Sequence, residues 1–105
     1  MEKTGVLVSE DDKIRRSINE VLKTVVDPEI GVPITEMNLV DEVKVDGGNA
    51  TVVFHLTMPF CPTMFALQIA QDIKQKVKSL DGVKSVNVNL VKHVKAEEIN
   101  KIVNQ

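Results

Sequence analysis

The sequence predicts an α+β fold ordered helix–β-hairpin–helix–strand–helix, with a small mixed three-stranded sheet and helices packed mainly on one of its faces. Three observations predict it. Apolar residues recur at helical spacing in three stretches and alternate at strand spacing in three others, and a Gly-Gly pair separates the first two strands. With 105 residues, 43% of them hydrophobic, the chain is long enough for one core, and no repeat, low-complexity tract or linker divides it. The expectation is one domain over residues 1–105, with residues 1–9 flexible.

Ser9 can cap the first helix, with Asp12 three residues on as an approximate capping box and negative charge at the helix's positive end. Ile14, Ile18, Val21, Leu22 and Val25 follow as one apolar stripe. Pro28 disfavours helical geometry at Asp27, so this helix is expected over about residues 10–26. Val43 and Val45 share one face of the next strand, and Val52, Phe54 and Leu56 one face of the strand after it. The Asp-Gly-Gly-Asn segment between them signals an antiparallel hairpin.

Leu67, Ala70, Ile73, Val77 and Leu80 mark a second helix over about residues 62–80, stopped by a turn at Gly82. Val86, Val88 and Leu90 alternate in a third strand, which the helical crossover makes parallel to the second. Ile99, Ile102 and Val103 place a short last helix with one apolar side.

Composition excludes several roles. A net charge of −2, no Trp or Tyr and three Phe provide neither a basic face nor stacking platforms for nucleic acid. No uninterrupted apolar stretch approaches membrane-spanning length, and the first twelve residues lack a signal-peptide core, so no membrane partner is expected. A lone cysteine gives no disulfide framework, and the expected location is cytoplasmic.

That cysteine, Cys61, lies in Thr-Met-Pro-Phe-Cys-Pro-Thr-Met, between the second strand and the second helix. Pro62 suits the first helical position, and Thr63 adds a hydroxyl. A sulfur at a helix's positive end is stabilised as thiolate, the form that binds metal or attacks electrophiles. Free cysteine is equally at home as a small buried hydrophobe. Both readings stand on position alone.

Asp27 and Glu29 place two carboxylates in a stiff loop, where Asp before Pro commonly shapes a chain reversal; the residues alone favour that reading. His55 lies on the strand face opposite Phe54 and Leu56, as a solvated or interface histidine. His93 follows the third strand with no partner at ligand spacing, so spacing assembles no closed metal site from one chain.

The ordered occurrence of "DPE", "NLV" and "LTxPxCP", in "VVDPEIGVPITEMNLVDEVKVDGG" and "VVFHLTMPFCPTMFAL", followed by "LDGVKSVNVNLV", resembles the metal–sulfur cluster assembly domain family. This family includes SufT-like, PaaD-like and eukaryotic cytosolic iron–sulfur targeting proteins. The resemblance covers nearly everything after residue 10. It implies a non-enzymatic role in iron–sulfur cluster assembly or delivery, with Cys61 as a transient ligand or partner-contact thiol. Asp27 and Thr57 match further motif positions, and Glu29, Pro62 and Thr63 complete the expected supporting site.

The C-terminal segment departs from one branch, having no Pro-Pro-Trp. "HVKAEEINK" is more similar to the branch of cytosolic targeting factors, including a histidine at His93. The expected cargo is an iron–sulfur cluster or iron, transiently held. The expected partners are iron–sulfur assembly proteins or recipient apoproteins. Clusters usually need about four protein ligands, so one thiol per chain also allows a homodimer, with Val40, Val53 and Val91 as an apolar second sheet face open either to a second copy or to cover by the last helix. Alternatives are a thiol-based redox enzyme, and an adaptor subunit for a metalloenzyme such as a ring-hydroxylating or epoxidising oxygenase, because some relatives belong to phenylacetate-oxygenase operons.

Overall fold

Ser9 starts the first helix as expected: its side-chain oxygen accepts a hydrogen bond from Asp12 N–H at 3.1 Å. The computed structural model describes residues 9–58 and 62–104. Cys61, with Pro59 and Phe60 before it, and residues 1–8 of the expected flexible leader lie outside the described residues. The elements are α1 (Glu10–Leu22), β1 (Val40–Asp46), β2 (Asn49–Phe54), α2 (Thr63–Lys78), β3 (Ser85–Leu90) and α3 (Ala96–Val103).

α1 ends at Leu22 rather than near residue 26. Thr24 Oγ1 donates to Val21 C=O at 2.7 Å, Val25 C=O accepts from Ile34 N–H at 2.9 Å, and Val26 bridges Pro33 as a short antiparallel contact. Three consecutive β-branched residues favour that extended exit. Val25 is still buried with Ile14, Ile18 and Leu22, so the apolar stripe continues beyond the helix that carries it.

α2 begins at Thr63, with Pro62 as its N-cap rather than its first helical residue. The fixed φ of proline, here −51°, suits either position, but a ψ of 134° keeps this residue extended. Its carbonyl accepts from Ala66 N–H at 3.1 Å and so opens the helical ladder. The buried face of α2 is Ala66, Ile69, Ala70, Ile73 and Val77, whereas Leu67 and Leu80 are only half-buried. On α3, Ile99 and Val103 are buried, but Ile102 is exposed.

The sheet order is β1-β2-β3, with β1–β2 antiparallel and β2–β3 parallel. Gly47 and Gly48 form the two-residue turn with φ of 60° and 87°, the positive values such a hairpin demands. Ala50, Val52, Phe54, Val86, Val88 and Leu90 line the buried face. α1 packs on β1, α2 on β3, and α3 on both α2 and β3.

A register shift between Val40 and Glu42 inserts one residue into β1. Val40 therefore pairs with Phe54 and packs against the core, three residues from Val43 on the same face. This removes Val40 from the expected outer apolar face. That face keeps Val53 half-buried among Thr51, Asn87 and Asn89. Among the described residues, no helix is long and apolar enough to cross a membrane.

Candidate functional site

A chain of backbone hydrogen bonds brings the Asp27 loop to the end of β2. Ile34 N–H donates to Val25 C=O at 2.9 Å, Leu39 N–H to Ile34 C=O at 3.1 Å, and His55 N–H to Leu39 C=O at 2.9 Å. Two residues beyond His55 comes Thr57, exposed in a bend. Asp27 and Thr57 thus occupy the same end of the domain, the end from which β2 leads toward α2.

The Asp27 side chain is turned into its own loop. It is 6% exposed, and Oδ1 accepts from Glu29 N–H at 2.8 Å. Its backbone closes the loop further: Gly31 N–H donates to Asp27 C=O at 2.8 Å, and Asp27 N–H to Val32 C=O at 3.0 Å. This is a side-chain-capped reversal, for which Asp before Pro is well suited. Gly31 supplies the positive φ, 70°, that the loop requires. Glu29 is exposed on the loop's outer side, and Pro62 and Thr63 are exposed where α2 begins.

Two histidines contribute features that residue spacing did not disclose. Asp41, the residue opened by the bulge in β1, reaches His55 across the outer sheet face, with Oδ2 2.9 Å and Oδ1 3.0 Å from Nδ1. The carboxylate orients the ring and favours the Nδ1–H tautomer, leaving the lone pair of the neutral ring on Nε2. His93, 9% exposed, does the converse: its Nδ1 accepts from Lys95 N–H at 2.9 Å, which puts the neutral ring's proton on Nε2. Its carbonyl accepts from Ala96 N–H at 3.1 Å, so His93 sets the entry into α3. The visible signal was its place directly after a strand; its backbone partner depends on the turn.

Large apolar side chains are exposed around this end: Val26, Ile30 and Met58, with Met64 at 77% and Val94 at 71%. Val26 also lines a cleft against α2 with Gln68, Ile69, Gln71, Asp72 and Gln75. Met64 stands one turn before Gln68, so the helix extends the same margin. Among the described residues, no group of three or more His, Asp or Glu side chains is arranged to hold a metal ion.

The chain matches the iron–sulfur cluster assembly protein family over residues 15–90, a span that includes Asp27, Thr57 and Cys61. It is 37% identical over 92 residues to an uncharacterised protein of Methanocaldococcus jannaschii, covering 87% of this chain and 95% of that protein. It is 40% identical over 85 residues to an Fe-S protein maturation auxiliary factor of Porphyromonas gingivalis, covering 80% and 74% of the two. An iron–sulfur cluster carrier protein of Synechocystis is 36% identical over 70 residues, which are 67% of this chain and 19% of that longer protein. A solved structure from Bacillus anthracis, described as a domain of unknown function (DUF59), superposes with a TM-score of 0.72 at 28% identity, covering 88% of this chain and 92% of that one. The motifs, the α-β-β-α-β-α order and these matches agree, and the chain belongs to the iron–sulfur cluster assembly protein family.

Proposed function

We propose that this chain, acting as one cytoplasmic domain, assembles or delivers iron–sulfur clusters and catalyses no reaction of its own. The observation that carries the proposal is the family match over residues 15–90, which spans Cys61 and the loop and strand end expected to support it. Cys61 is the transient ligand or partner-contact thiol. Thr57 and Thr63 offer hydroxyls beside the cargo, Asp27 and Pro62 hold the approaches, and Glu29 stands at the outer margin.

The apolar rim of Val26, Ile30, Met58, Met64 and Val94 supports a site that works against another protein, an assembly factor or a recipient apoprotein. One thiol supplies one of the roughly four ligands a cluster takes. The cargo is therefore shared, by two chains or with a partner's ligands, and such sharing suits release. The test is anaerobic reconstitution with iron and sulfide, followed by absorption and Mössbauer spectra of wild type and Cys61→Ser. Cluster bands in wild type that vanish in Cys61→Ser are expected; equal spectra in both would remove Cys61 from the role.

A further inference from the structure

β3 is an edge strand whose outer side is closed by two side chains instead of a fourth strand. Asn100 Oδ1 accepts from Leu90 N–H at 2.7 Å, and its Nδ2 donates to Leu90 C=O at 3.0 Å. Asn104 treats Val88 the same way: Oδ1 accepts from its N–H at 2.9 Å, and Nδ2 donates to its C=O at 2.8 Å. Four residues of helix rise about 6 Å, and two residues of strand about 6.6 Å. The two carboxamides therefore meet two successive outward-facing residues, each presenting donor and acceptor as a neighbouring strand would.

The opposite edge is guarded differently. β1 carries Asp41, Glu42, Lys44 and Asp46 together with its bulge, devices that discourage pairing with another chain. β3 reads Ser-Val-Asn-Val-Asn-Leu, with no charge, no proline and an unbroken register. Its protection rests on α3.

α3 is short, and besides the two carboxamides it is tied down by Lys74 Nζ, which donates to Val103 C=O at 2.5 Å. Its eight residues are fewer than a helix needs to be stable alone, and its N-cap Lys95 makes no side-chain capping bond. Ile99 and Val103 are its buried residues. The connection from β3 passes through Lys92 at φ 57°, a conformation that non-glycine residues adopt reluctantly.

We propose that α3 is a hinged cover, and that when it swings away the uncovered β3 edge pairs antiparallel with β3 of a second copy of this chain. The edge suits itself. A two-fold axis sets the same outward peptide groups of Val88 and Leu90 against each other. With Val88 opposite Leu90 of the second copy, Asn89 faces its own counterpart and Asn87 faces Val91 on the outer face, all neutral side chains that repel nothing. This pairing does not depend on Cys61.

Hydrogen exchange on the metal-free wild type tests the cover. The amides of Val88 and Leu90 should exchange together with those of Ile99 and Val103, at least about tenfold faster than Val52 in the central strand. Exchange as slow as that of Val52 would overturn the hinge, whether or not any variant folds. The pairing is tested with Asn100→Ala/Asn104→Ala, and with Asn104→Ala alone as the milder variant, by sedimentation across a concentration series. A dimer that grows with concentration is expected where wild type stays monomeric, and adding Asn87→Lys and Asn89→Lys should return it to monomer. A folded variant that stays monomeric throughout, or a dimer indifferent to the added lysines, would overturn pairing through β3.

Discussion

At the hairpin end of the sheet the backbone is locked by short polar contacts, whereas at the end where β2 and β3 finish, apolar side chains are left in solvent. Gly47 and Gly48 N–H donate to the Asp11 carboxylate at 3.1 and 3.3 Å, Lys84 N–H donates to Gly48 C=O at 2.7 Å, and Ser85 Oγ donates to Asn49 Oδ1 at 2.8 Å. Among the described residues, six large apolar side chains are exposed, and five of them (Val26, Ile30, Met58, Met64 and Val94) lie at the other end. Both ends join the same core, so folding does not demand the difference. Exposed apolar surface lowers solubility and adds no stability, which makes a binding partner the physical reason to keep it.

Substitutions should separate the two ends, and the shared core sets the scale. Phe54 is fully buried at the end of the central strand, and Phe54→Ala should lose about 3–5 kcal/mol in urea denaturation. Ile73→Ala should lose roughly 2–5 kcal/mol, and the half-buried Leu67→Ala clearly less. Equal midpoints for the two would mean that the buried face of α2 has been misassigned.

At the locked end, Gly48→Ala would place a methyl 2.9 Å from Gly82 C=O at a φ of 87°. A loss of about 1–3 kcal/mol is expected, with cluster loading unchanged in the folded fraction. Asp11→Ala removes the acceptor for two turn amides and should lower stability by about 0.5–1.5 kcal/mol. Thermal melts of both variants against wild type measure this.

The open end should respond in reverse. Met64→Ser and Ile30→Ser should leave stability within about 0.5 kcal/mol of wild type, because neither side chain is buried. Cluster transfer to an apo-ferredoxin should nonetheless slow by about tenfold, the scale of about 1.4 kcal/mol at an interface. If transfer is unchanged while Asp11→Ala impairs it, the functional surface lies at the other end.

The elements were legible in the sequence because their apolar periods agree with their packing. Val52, Phe54, Val86, Val88 and Leu90 face the core as alternation requires, and the Gly47–Gly48 turn forms as its residues demand. Boundaries were less legible: Val25 belongs to the α1 stripe by burial, yet its carbonyl serves Ile34. The bulge had no signature in Val-Asp-Glu-Val, and without it neither the inward turn of Val40 nor the Asp41–His55 pair can be foreseen.

The Asp27 turn could be read from Asp-Pro-Glu, since its bond to Glu29 N–H is local. Asn100 and Asn104 show only as two amides one helical turn apart; their purpose needs the β3 edge they cover. Local chemistry is written locally, and contacts between distant segments are not.

Native mass spectrometry of the anaerobically reconstituted protein, wild type beside Cys61→Ser, tests cluster carriage by a shared thiol most directly. The expected result is a cluster mass on a two-chain species in wild type, lost on transfer to an apo-ferredoxin and absent from Cys61→Ser. A cluster held firmly by a single chain, or one retained by Cys61→Ser, would contradict it.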